Sequence, residues 1–246
     1  MKIIFLGVGE AFDENNSCTS ILIESKTNIL LDCGFTTPYQ LWKYNTNPNF
    51  LDAIYISHFH ADHYFGIPAI FQRAWEYGRT KPFTIIGQKG AKEQVEKLLQ
   101  LGYKNFLPKY KFPINYIEVE NKENIKFNDL ILEFLEIKHS SRNFAIKISD
   151  NGKTIFYSGD GELSEEKKFY YNLDLLIQET YLLDVKKEGH TNLMDLIKFV
   201  KDNKIKLTAL VHLNRDFAKD KEKILKIIRE NNVNIILPEN LQVVKL

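Results

Sequence analysis

Short, mostly hydrophobic stretches bounded by polar clusters mark the start of the chain. Three such stretches are rich in β-branched and aliphatic residues, and clusters of Gly, Asn and Ser separate them. Runs of this length and composition are typical of strands, and polar clusters of this kind are typical of turns. The pattern predicts consecutive antiparallel strands over residues 2–8, 19–24 and 28–32.

Between residues 37 and 101 the apolar positions follow two different patterns. Spacings of three and four predict amphipathic helices, and short apolar runs bounded by turn residues predict strands. The helices are predicted over residues 37–44, 67–77 and 91–101, and the strands over residues 51–57 and 82–86.

The second half of the chain repeats this order of elements. Alternating runs predict strands over residues 116–119, 130–137, 144–148 and 154–157, and Asn151-Gly152 is a strong hairpin signal. Helices predicted over residues 164–171, 192–202 and 219–231 then alternate with apolar strands over residues 173–178, 207–212 and 234–237. This order predicts a layered α/β (α+β) fold, in which two sheets pack together and helices cover the outside. The length and the 44% hydrophobic content suit one core, so we expect a single domain over residues 1–246.

The charge balance and the cysteine content argue against several classes of protein. The 33 basic and 32 acidic residues leave no overall field that attracts nucleic acid or an anionic membrane. No run approaches the roughly 20 apolar residues that cross a bilayer, and the apolar run after Met1 is too short for a signal peptide. Cys18 and Cys33 are too few for a disulfide framework, so we expect a reduced, cytoplasmic protein.

Three imidazoles and a carboxylate lie within six residues directly after the predicted strand 51–57: His58, His60, Asp62 and His63. Side chains two apart in an extended run share a face, so His58 and His60 point to one side. Asp62 and His63 turn with the loop toward a second position. Neutral imidazole and carboxylate are the usual ligands of zinc and its first-row neighbours, so the segment predicts ligands for two adjacent metal ions. A histidine-rich surface loop, or a helix N-terminus capped by Asp62, is the alternative.

The pattern His-x-His-x-Asp-His after a strand resembles the signature of the metallo-β-lactamase fold superfamily. The resemblance implies a four-layer αβ/βα metallo-β-lactamase sandwich that holds two divalent metal ions. Zinc is the expected metal, although the same ligands accept manganese or iron. The resemblance also implies that Asp32, where the third predicted strand ends, braces the metal loop from behind. A turn residue that satisfies its own backbone is the alternative for Asp32.

Three further residues complete the ligand set that this resemblance implies. His139 ends a predicted strand, Asp160 lies in a Ser-Gly-Asp-Gly segment, and His212 follows an apolar strand. Asp160 would be shared between the metals because a carboxylate has two oxygens. The first site would then use His58, His60 and His139, and the second Asp62, His63 and His212. His139 and Asp160 each have a turn residue as the alternative.

His190 distinguishes between members of the superfamily. Gly-His-Thr at 189–191, with Gln-Glu-Thr at 178–180 and Val-His-Leu-Asn-Arg at 211–215, resembles ribonuclease Z and its phosphodiesterase relatives. In those enzymes the corresponding histidine is proposed to donate a proton or a hydrogen bond to the phosphate. We therefore expect a metal-bridging hydroxide to attack phosphorus, with Asp62 orienting it or taking its proton. His190, oriented by Glu179, would stabilise the equatorial oxygens or protonate the leaving alkoxide, unless His190 is a surface residue at a helix N-terminus.

The chain departs from ribonuclease Z at two places. Phe-Thr-Thr at 35–37 replaces the usual Glu-Gly-Thr, and only 21 residues separate His139 from Asp160 (160 − 139), where bacterial ribonuclease Z inserts a long tRNA-gripping arm. The expected partner is therefore a phosphodiester substrate, either a small cyclic or linear nucleotide or an RNA end. A lactonase or thioesterase of the same fold is the alternative, since it would share the seven ligands without needing His190. Relatives often dimerise, so the resemblance also allows a homodimer.

Overall fold

The computed structural model describes residues 1–246 and contains fourteen strands and seven α-helices. The strands are β1 Lys2–Gly7, β2 Ser20–Glu24, β3 Ile29–Leu31, β4 Ala53–Ile56, β5 Phe83–Gln88, β6 Ile114–Val119, β7 Asn124–Phe127, β8 Leu130–Ile137, β9 Asn143–Asp150, β10 Lys153–Tyr157, β11 Leu175–Glu179, β12 Thr208–Val211, β13 Ile235–Ile236 and β14 Gln242–Lys245. The helices are α1 Thr37–Tyr44, α2 Ala61–Tyr64, α3 Ile67–Glu76, α4 Ala91–Gly102, α5 Leu193–Asn203, α6 Arg215–Ala218 and α7 Lys221–Glu230. Short 3-10 helices lie at Leu107–Lys109 and Lys167–Tyr170.

The strands form two mixed seven-stranded sheets of matching design. The first sheet has the order β14-β1-β2-β3-β4-β5-β6, and the second has the order β13-β12-β11-β10-β9-β8-β7. In each sheet one half is antiparallel and the other half parallel, and the change falls between β3 and β4 in the first sheet and between β10 and β11 in the second. The parallel strands end at a common edge of each sheet, and at that edge the loops that follow them meet.

Burial divides the apolar residues into three layers of core. A central cluster of 23 buried residues draws on both sheets, with Phe5 and Tyr55 from the first and Phe134 and Tyr157 from the second. A cluster of 19 lies between the first sheet and helices α1, α3 and α4, and a cluster of 18 lies between the second sheet and helices α5 and α7. Because successive side chains of a β strand point to opposite faces of the sheet, one strand can contribute residues to both the central cluster and an outer cluster. The result is the predicted four-layer α/β/β/α arrangement.

The structure corrects the predicted helices of the second half. The helix predicted over residues 164–171 is a single 3-10 turn at Lys167–Tyr170, because the adjacent Phe169 and Tyr170 are both buried rather than spaced around a helix face. The helix predicted over 219–231 is interrupted at its start. The Asp220 side chain accepts a hydrogen bond from the Lys223 N–H and begins α7 there, after the separate short helix α6.

Two edge strands escaped the prediction. Strand β14 pairs antiparallel with β1, from Lys2 opposite Lys245 to Phe5 opposite Gln242, and β7 pairs antiparallel with β8. Both edge strands leave much of their length exposed, so their sequences lack the continuous apolar character of the central strands. None of the helices combines the length and the apolar character that crossing a membrane requires.

Candidate metal centre

The histidine-rich segment leaves β4 as an extended loop and then enters helix α2. His60 precedes that helix with extended backbone angles, and the four-residue helix carries Asp62 and His63. The turn needs close backbone contact, since a Cβ on Gly34 would collide with the carbonyl oxygen of Asp62. The loop is also fixed by the Cys33 N–H, which donates to the His63 carbonyl at 2.7 Å. Asp62 and His63 on this short helix belong to a different group of candidate ligands from His58 and His60.

Two groups of side chains converge at this loop. The three-histidine group comprises His58, His60, His139 and Asp160, and the two-carboxylate group comprises Asp62, His63, Asp160 and His212. Within each group the candidate ligand atoms all lie within 4.8 Å of one another. All seven predicted ligands therefore come together, although they are spread over more than 150 residues of the chain.

The distant members of both groups lie just beyond the ends of neighbouring strands. His139 follows β8, Asp160 follows β10, and His212 follows β12. Strands β10, β11 and β12 are parallel, so their carboxyl ends lie at one edge of the second sheet, opposite the loop after β4. Gly159 has a φ of +60°, and a Cβ there would lie 2.7 Å from the Ser57 Cβ, so glycine is needed where Asp160 approaches the loop.

The three-histidine group brings ring nitrogens of its imidazoles close together. The His58 Nε2 lies 2.9 Å from the His60 Nδ1, and the His139 Nε2 lies 3.3 Å from the same atom. His58 and His139 each place Nε2 3.9 Å from the Asp160 Oδ2. Burial lowers the pKa of all three imidazoles, so they are neutral near pH 7 and can offer lone pairs to a cation.

The two-carboxylate group is more tightly packed and more strongly charged. The His212 Nε2 lies 3.2 Å from both Asp62 Oδ2 and Asp160 Oδ2, and the His63 Nε2 lies 3.3 Å and 3.4 Å from the same two atoms. Burial alone lowers the pKa of His212, but Asp160 and Asp62 outweigh it and raise the pKa to about 9. Burial likewise lowers the pKa of His63, and Asp160 and Asp32 raise it well above its usual value. Both shifts favour the protonated form of the imidazole.

Unpartnered buried atoms at the centre fit a bound cation. The His63 Nε2 and the Asp160 Oδ1 are both buried, and neither makes a hydrogen bond. Such atoms are costly to bury without a partner, and a divalent cation satisfies both at once. The mixture of imidazole and carboxylate ligands in each group suits zinc, manganese or iron.

Asp32 braces the loop, so the turn-residue alternative is wrong. Its Oδ2 accepts hydrogen bonds of 2.7 Å from the His63 Nδ1, the Ser57 hydroxyl and the Tyr157 hydroxyl. Its Oδ1 accepts a 2.8 Å bond from the Ser57 N–H. The bond to the His63 Nδ1 fixes the ring so that Nε2 faces the two-carboxylate group.

The other imidazoles have weaker supports. The His58 Nδ1 lies 3.0 Å from the Ser57 hydroxyl, and the His139 Nδ1 donates to the Gly189 carbonyl at 3.0 Å. The His212 Nδ1 is buried without a partner. Each of these three rings turns its Nε2 toward the centre, whereas His60 turns its Nδ1 toward it.

His190 and Glu179 form the predicted pair beside the three-histidine group. The fully buried Glu179 places Oε1 2.8 Å from the His190 Nδ1, and its Oε2 accepts a 2.9 Å bond from the Thr191 N–H. Burial raises the pKa of Glu179 and lowers that of His190 to about 4, so both shifts favour an uncharged pair. The His190 ring meets the His139 ring edge-on, with centroids 5.2 Å apart.

Tyr181 is a neighbour of this pair that sequence reasoning missed. Its ring stacks on the His190 ring with centroids 4.5 Å apart and an angle of 28° between the planes. On the same tyrosine, the Lys187 Nζ lies 4.1 Å from the ring centroid, and the hydroxyl accepts a 3.1 Å bond from the Asn214 side chain. The only available signal was the position of Tyr181 directly after Gln-Glu-Thr at 178–180.

Two mixed sheets packed face to face, with helices outside and these groups of candidate ligands at one edge, define a protein of the metallo-β-lactamase fold. The sequence also matches the family described as Anti-Pycsar protein Apyc1 over residues 1–233. The chain belongs to this Anti-Pycsar protein Apyc1 family.

The chain is also similar to known proteins in sequence and in structure. The ribonuclease Z of Methanosarcina mazei is 24% identical, over 98% of this chain and 96% of that protein. The metallo-β-lactamase fold protein YhfI from Bacillus subtilis superimposes with a TM-score of 0.83 at 23% identity, over 99% of both chains. The short form of human tRNase Z superimposes with a TM-score of 0.80 at 20% identity, over 100% of this chain and 99% of that one.

Proposed function

We propose that this protein is a dinuclear metal-dependent phosphodiesterase that hydrolyses a small cyclic or linear nucleotide or an RNA end. The observation that carries the proposal is the hydrogen-bonded pair of His190 and Glu179 beside two converging ligand groups. Hydrolysis of a phosphodiester needs a proton for the leaving alkoxide, and the pair supplies a group that can hold one. A lactonase or thioesterase has no such requirement at this position.

The seven ligands would hold the two cations as the groups suggest. His58, His60 and His139 would hold one, Asp62, His63 and His212 the other, and Asp160 both. Two divalent cations of this kind lower the pKa of a bound water toward about 7 and offset negative charge on the phosphate oxygens. Zinc is the proposed metal, and manganese and iron accept the same ligands.

The roles of the chain's own residues follow from their positions. Asp62 lies between His63 and His212, where its carboxylate can orient the attacking water or accept a proton from it. Glu179 occupies the His190 Nδ1, so the remaining nitrogen, Nε2, is the one that can reach the phosphate. From there His190 can donate to an equatorial oxygen or to the leaving alkoxide.

The connection between His139 and Asp160 supports a small substrate. Strands β9 and β10 follow His139 directly and are joined by a turn at Asn151 and Gly152, so this hairpin fills the whole segment before Asp160. No inserted arm extends from it to hold a tRNA. The M. mazei relative is named a ribonuclease Z and the human neighbour a tRNase Z, so an RNA end remains within the proposed substrate class.

A substrate screen with the metal-replete protein tests the proposal. The substrates are bis-p-nitrophenyl phosphate, cyclic AMP, an acyl-homoserine lactone and a precursor tRNA. We expect turnover of at least one of the two small phosphodiesters, and none of the lactone. Lactone hydrolysis without phosphodiester hydrolysis would replace the proposal with the acyl-hydrolase alternative. Cleavage of the precursor tRNA alone would move the substrate to RNA.

The His190→Ala variant tests the proton-donor role directly. General acid catalysis contributes about 10²–10⁴-fold, so we expect a fall of that size in kcat with the metal content unchanged. Lys186→Ala is a matched control, because Lys186 is an exposed residue of the same loop and belongs neither to the ligand groups nor to the His190–Glu179 pair. Wild-type turnover in His190→Ala would remove His190 from the mechanism.

The homodimer and the cytoplasmic location remain predictions. Cys18 and Cys33 are both buried free thiols. Sedimentation velocity at several protein concentrations would test for the homodimer.

A further inference from the structure

Glu162 lies two residues after Asp160, at the point where three segments of the centre meet. Its Oε1 accepts a 2.8 Å hydrogen bond from the Gly189 N–H, and its own N–H donates to the Lys138 carbonyl at 3.1 Å. Glu162 therefore joins the segment of Asp160 to the loop that precedes His190 and to the residue that precedes His139.

Gly189 connects these contacts to the reacting groups. Its N–H faces Glu162, and its carbonyl accepts the bond from the His139 Nδ1 at 3.0 Å. Gly189 has a φ of +76°, and a Cβ there would lie 3.1 Å from the His139 Cα, so the two backbones are in close contact. The backbone of this one residue thus contacts Glu162 through its N–H and a proposed ligand, His139, through its carbonyl, directly before His190.

The loop before His190 has few other attachments on its outer side. Residues 184–188 are exposed, and the inner side is held by Glu179, which bonds His190 and the Thr191 N–H. On the outer side, Lys138 places Nζ 3.4 Å from the Glu162 Oε1 and 3.1 Å from the Glu188 Oε1. The side chain of Glu188 is 83% exposed, while that of Glu162 is 36% exposed and bonds the backbone.

We propose that Glu162 is a positioning residue that fixes the Gly189 peptide and thereby holds His190 and His139 in their relative positions. The inference rests on the proposed function, because it assigns His190 a part in the reaction. Glu162 belongs to neither group of candidate ligands, and it acts through the hydrogen bond to the Gly189 N–H. The reach of the side chain matters for this role, and its charge matters less.

Two conservative variants separate reach from charge. Glu162→Gln keeps an oxygen within reach of the Gly189 N–H, and Glu162→Asp keeps the charge but is one methylene shorter. Loss of a hydrogen bond that orients a ligand commonly costs 10–100-fold, so we expect Glu162→Asp and Glu162→Ala to lose about 10–100-fold in kcat, with KM changed by less than about threefold. We expect Glu162→Gln to stay within about threefold of wild type.

Glu188→Ala is the matched control, because it removes the other carboxylate partner of Lys138 and leaves the Gly189 N–H bonded. It should retain wild-type kcat. Wild-type kcat in Glu162→Asp together with a loss in Glu162→Gln would overturn the proposal, because the charge would then be the important property. Wild-type kcat in Glu162→Ala would also overturn it.

Hydrogen–deuterium exchange gives a readout that needs no activity. A peptide covering residues 186–192 should exchange faster in Glu162→Ala and Glu162→Asp than in wild type or Glu162→Gln, with unchanged thermal unfolding. If the wild-type protein hydrolyses no phosphodiester but this exchange pattern holds, the proposed function fails and the positioning of the loop stands. Unchanged exchange in all variants would sink the positioning role, whatever the activity.

Discussion

The three-histidine group and the two-carboxylate group share Asp160 but differ in how their charge is balanced. In the first, burial lowers the pKa of His58, His60 and His139, so the imidazoles are neutral near pH 7. In the second, nearby carboxylates raise the pKa of His63 and His212 despite burial, and raise that of His212 to about 9. The pKa shifts therefore favour neutral imidazoles in the first group and protonated imidazoles in the second.

This difference indicates how each group responds to a cation. The protonated imidazoles balance Asp62 and Asp160, which keeps the pKa of both carboxyl groups low even though burial alone would raise it. A cation entering this group must displace the protons, because a ligand nitrogen needs its lone pair. A cation entering the three-histidine group meets free lone pairs. The two groups should therefore differ in how their metal affinity depends on pH, in the hydrogen bonds that orient their ligands, and in the order in which they bind a cation.

The largest effect is expected where the two groups overlap. Asp160→Asn removes one negative charge from both groups, so we expect fewer than two metal ions per chain in atomic spectroscopy. Loss of several kcal/mol of transition-state stabilisation corresponds to about 10³-fold or more in kcat. Asp150→Asn is the control, because Asp150 is also a buried aspartate and lies at the opposite end of the β9–β10 hairpin. Two bound ions and full activity in Asp160→Asn would disprove the shared role.

The next largest effect is a difference between the two groups in proton release and in the pH dependence of metal affinity. Near pH 7 we expect the two-carboxylate group to release up to about two protons per cation bound, and its affinity to rise about tenfold per pH unit for each proton released, up to about pH 9. The three-histidine group should bind with little proton release at the same pH, since its pKa values lie below the usual range. Calorimetric titrations in buffers of different ionisation enthalpy count these protons. Equal release at both sites would remove the contrast.

The local part of this centre was accessible from the sequence. His58, His60, Asp62 and His63 are neighbours in the chain, so strand periodicity and ligand chemistry were enough to predict two positions. The distant ligands came from the resemblance to a known superfamily, because nothing in the residues around His139 or Asp160 fixes which strand ends meet. Those contacts depend on sheet order, which local pattern does not determine.

Hydrogen bonds between residues that are far apart in the chain could not be predicted from the sequence. Asp32 fits a turn as well as a brace when read locally, and the hydroxyl of Tyr157, 125 residues away, is among the contacts that decide between them. The hydrogen bond from Gly189 to Glu162 spans 27 residues and is equally invisible in the pattern. Strand β14 was missed for the same reason, since the short segment Gln-Val-Val-Lys forms a strand by pairing with β1 at the other end of the chain.

Weakening the hydrogen bond between Asp32 and His63 should have a smaller effect, confined to the metal affinity of the two-carboxylate group. Asp32→Asn keeps the size of the side chain but weakens the bond to the His63 Nδ1 and lowers the charge behind the ring. Partners of this kind contribute about 10–100-fold to metal affinity, so we expect a loss of that size in the two-carboxylate group alone. Titration with a cation, followed by a competing chelator, would measure both affinities. An equal loss in the three-histidine group would show that Asp32 supports the loop as a whole.

The smallest effect is expected for substitution of Ser57. Its hydroxyl contacts both His58, in the three-histidine group, and Asp32, which orients His63 in the two-carboxylate group. It donates to the Asp32 Oδ2 at 2.7 Å and lies 3.0 Å from the His58 Nδ1, which leaves it as acceptor for that ring. Ser57→Ala removes one neutral hydrogen bond from His58, worth about 1 kcal/mol or roughly fivefold in affinity. Asp32 keeps its bonds to His63, Tyr157 and the Ser57 N–H, so the two-carboxylate group should change less. Ser57→Thr keeps the hydroxyl and should therefore keep the metal affinity of the three-histidine group. A loss of affinity confined to the two-carboxylate group in Ser57→Ala would show that the hydroxyl acts mainly through Asp32.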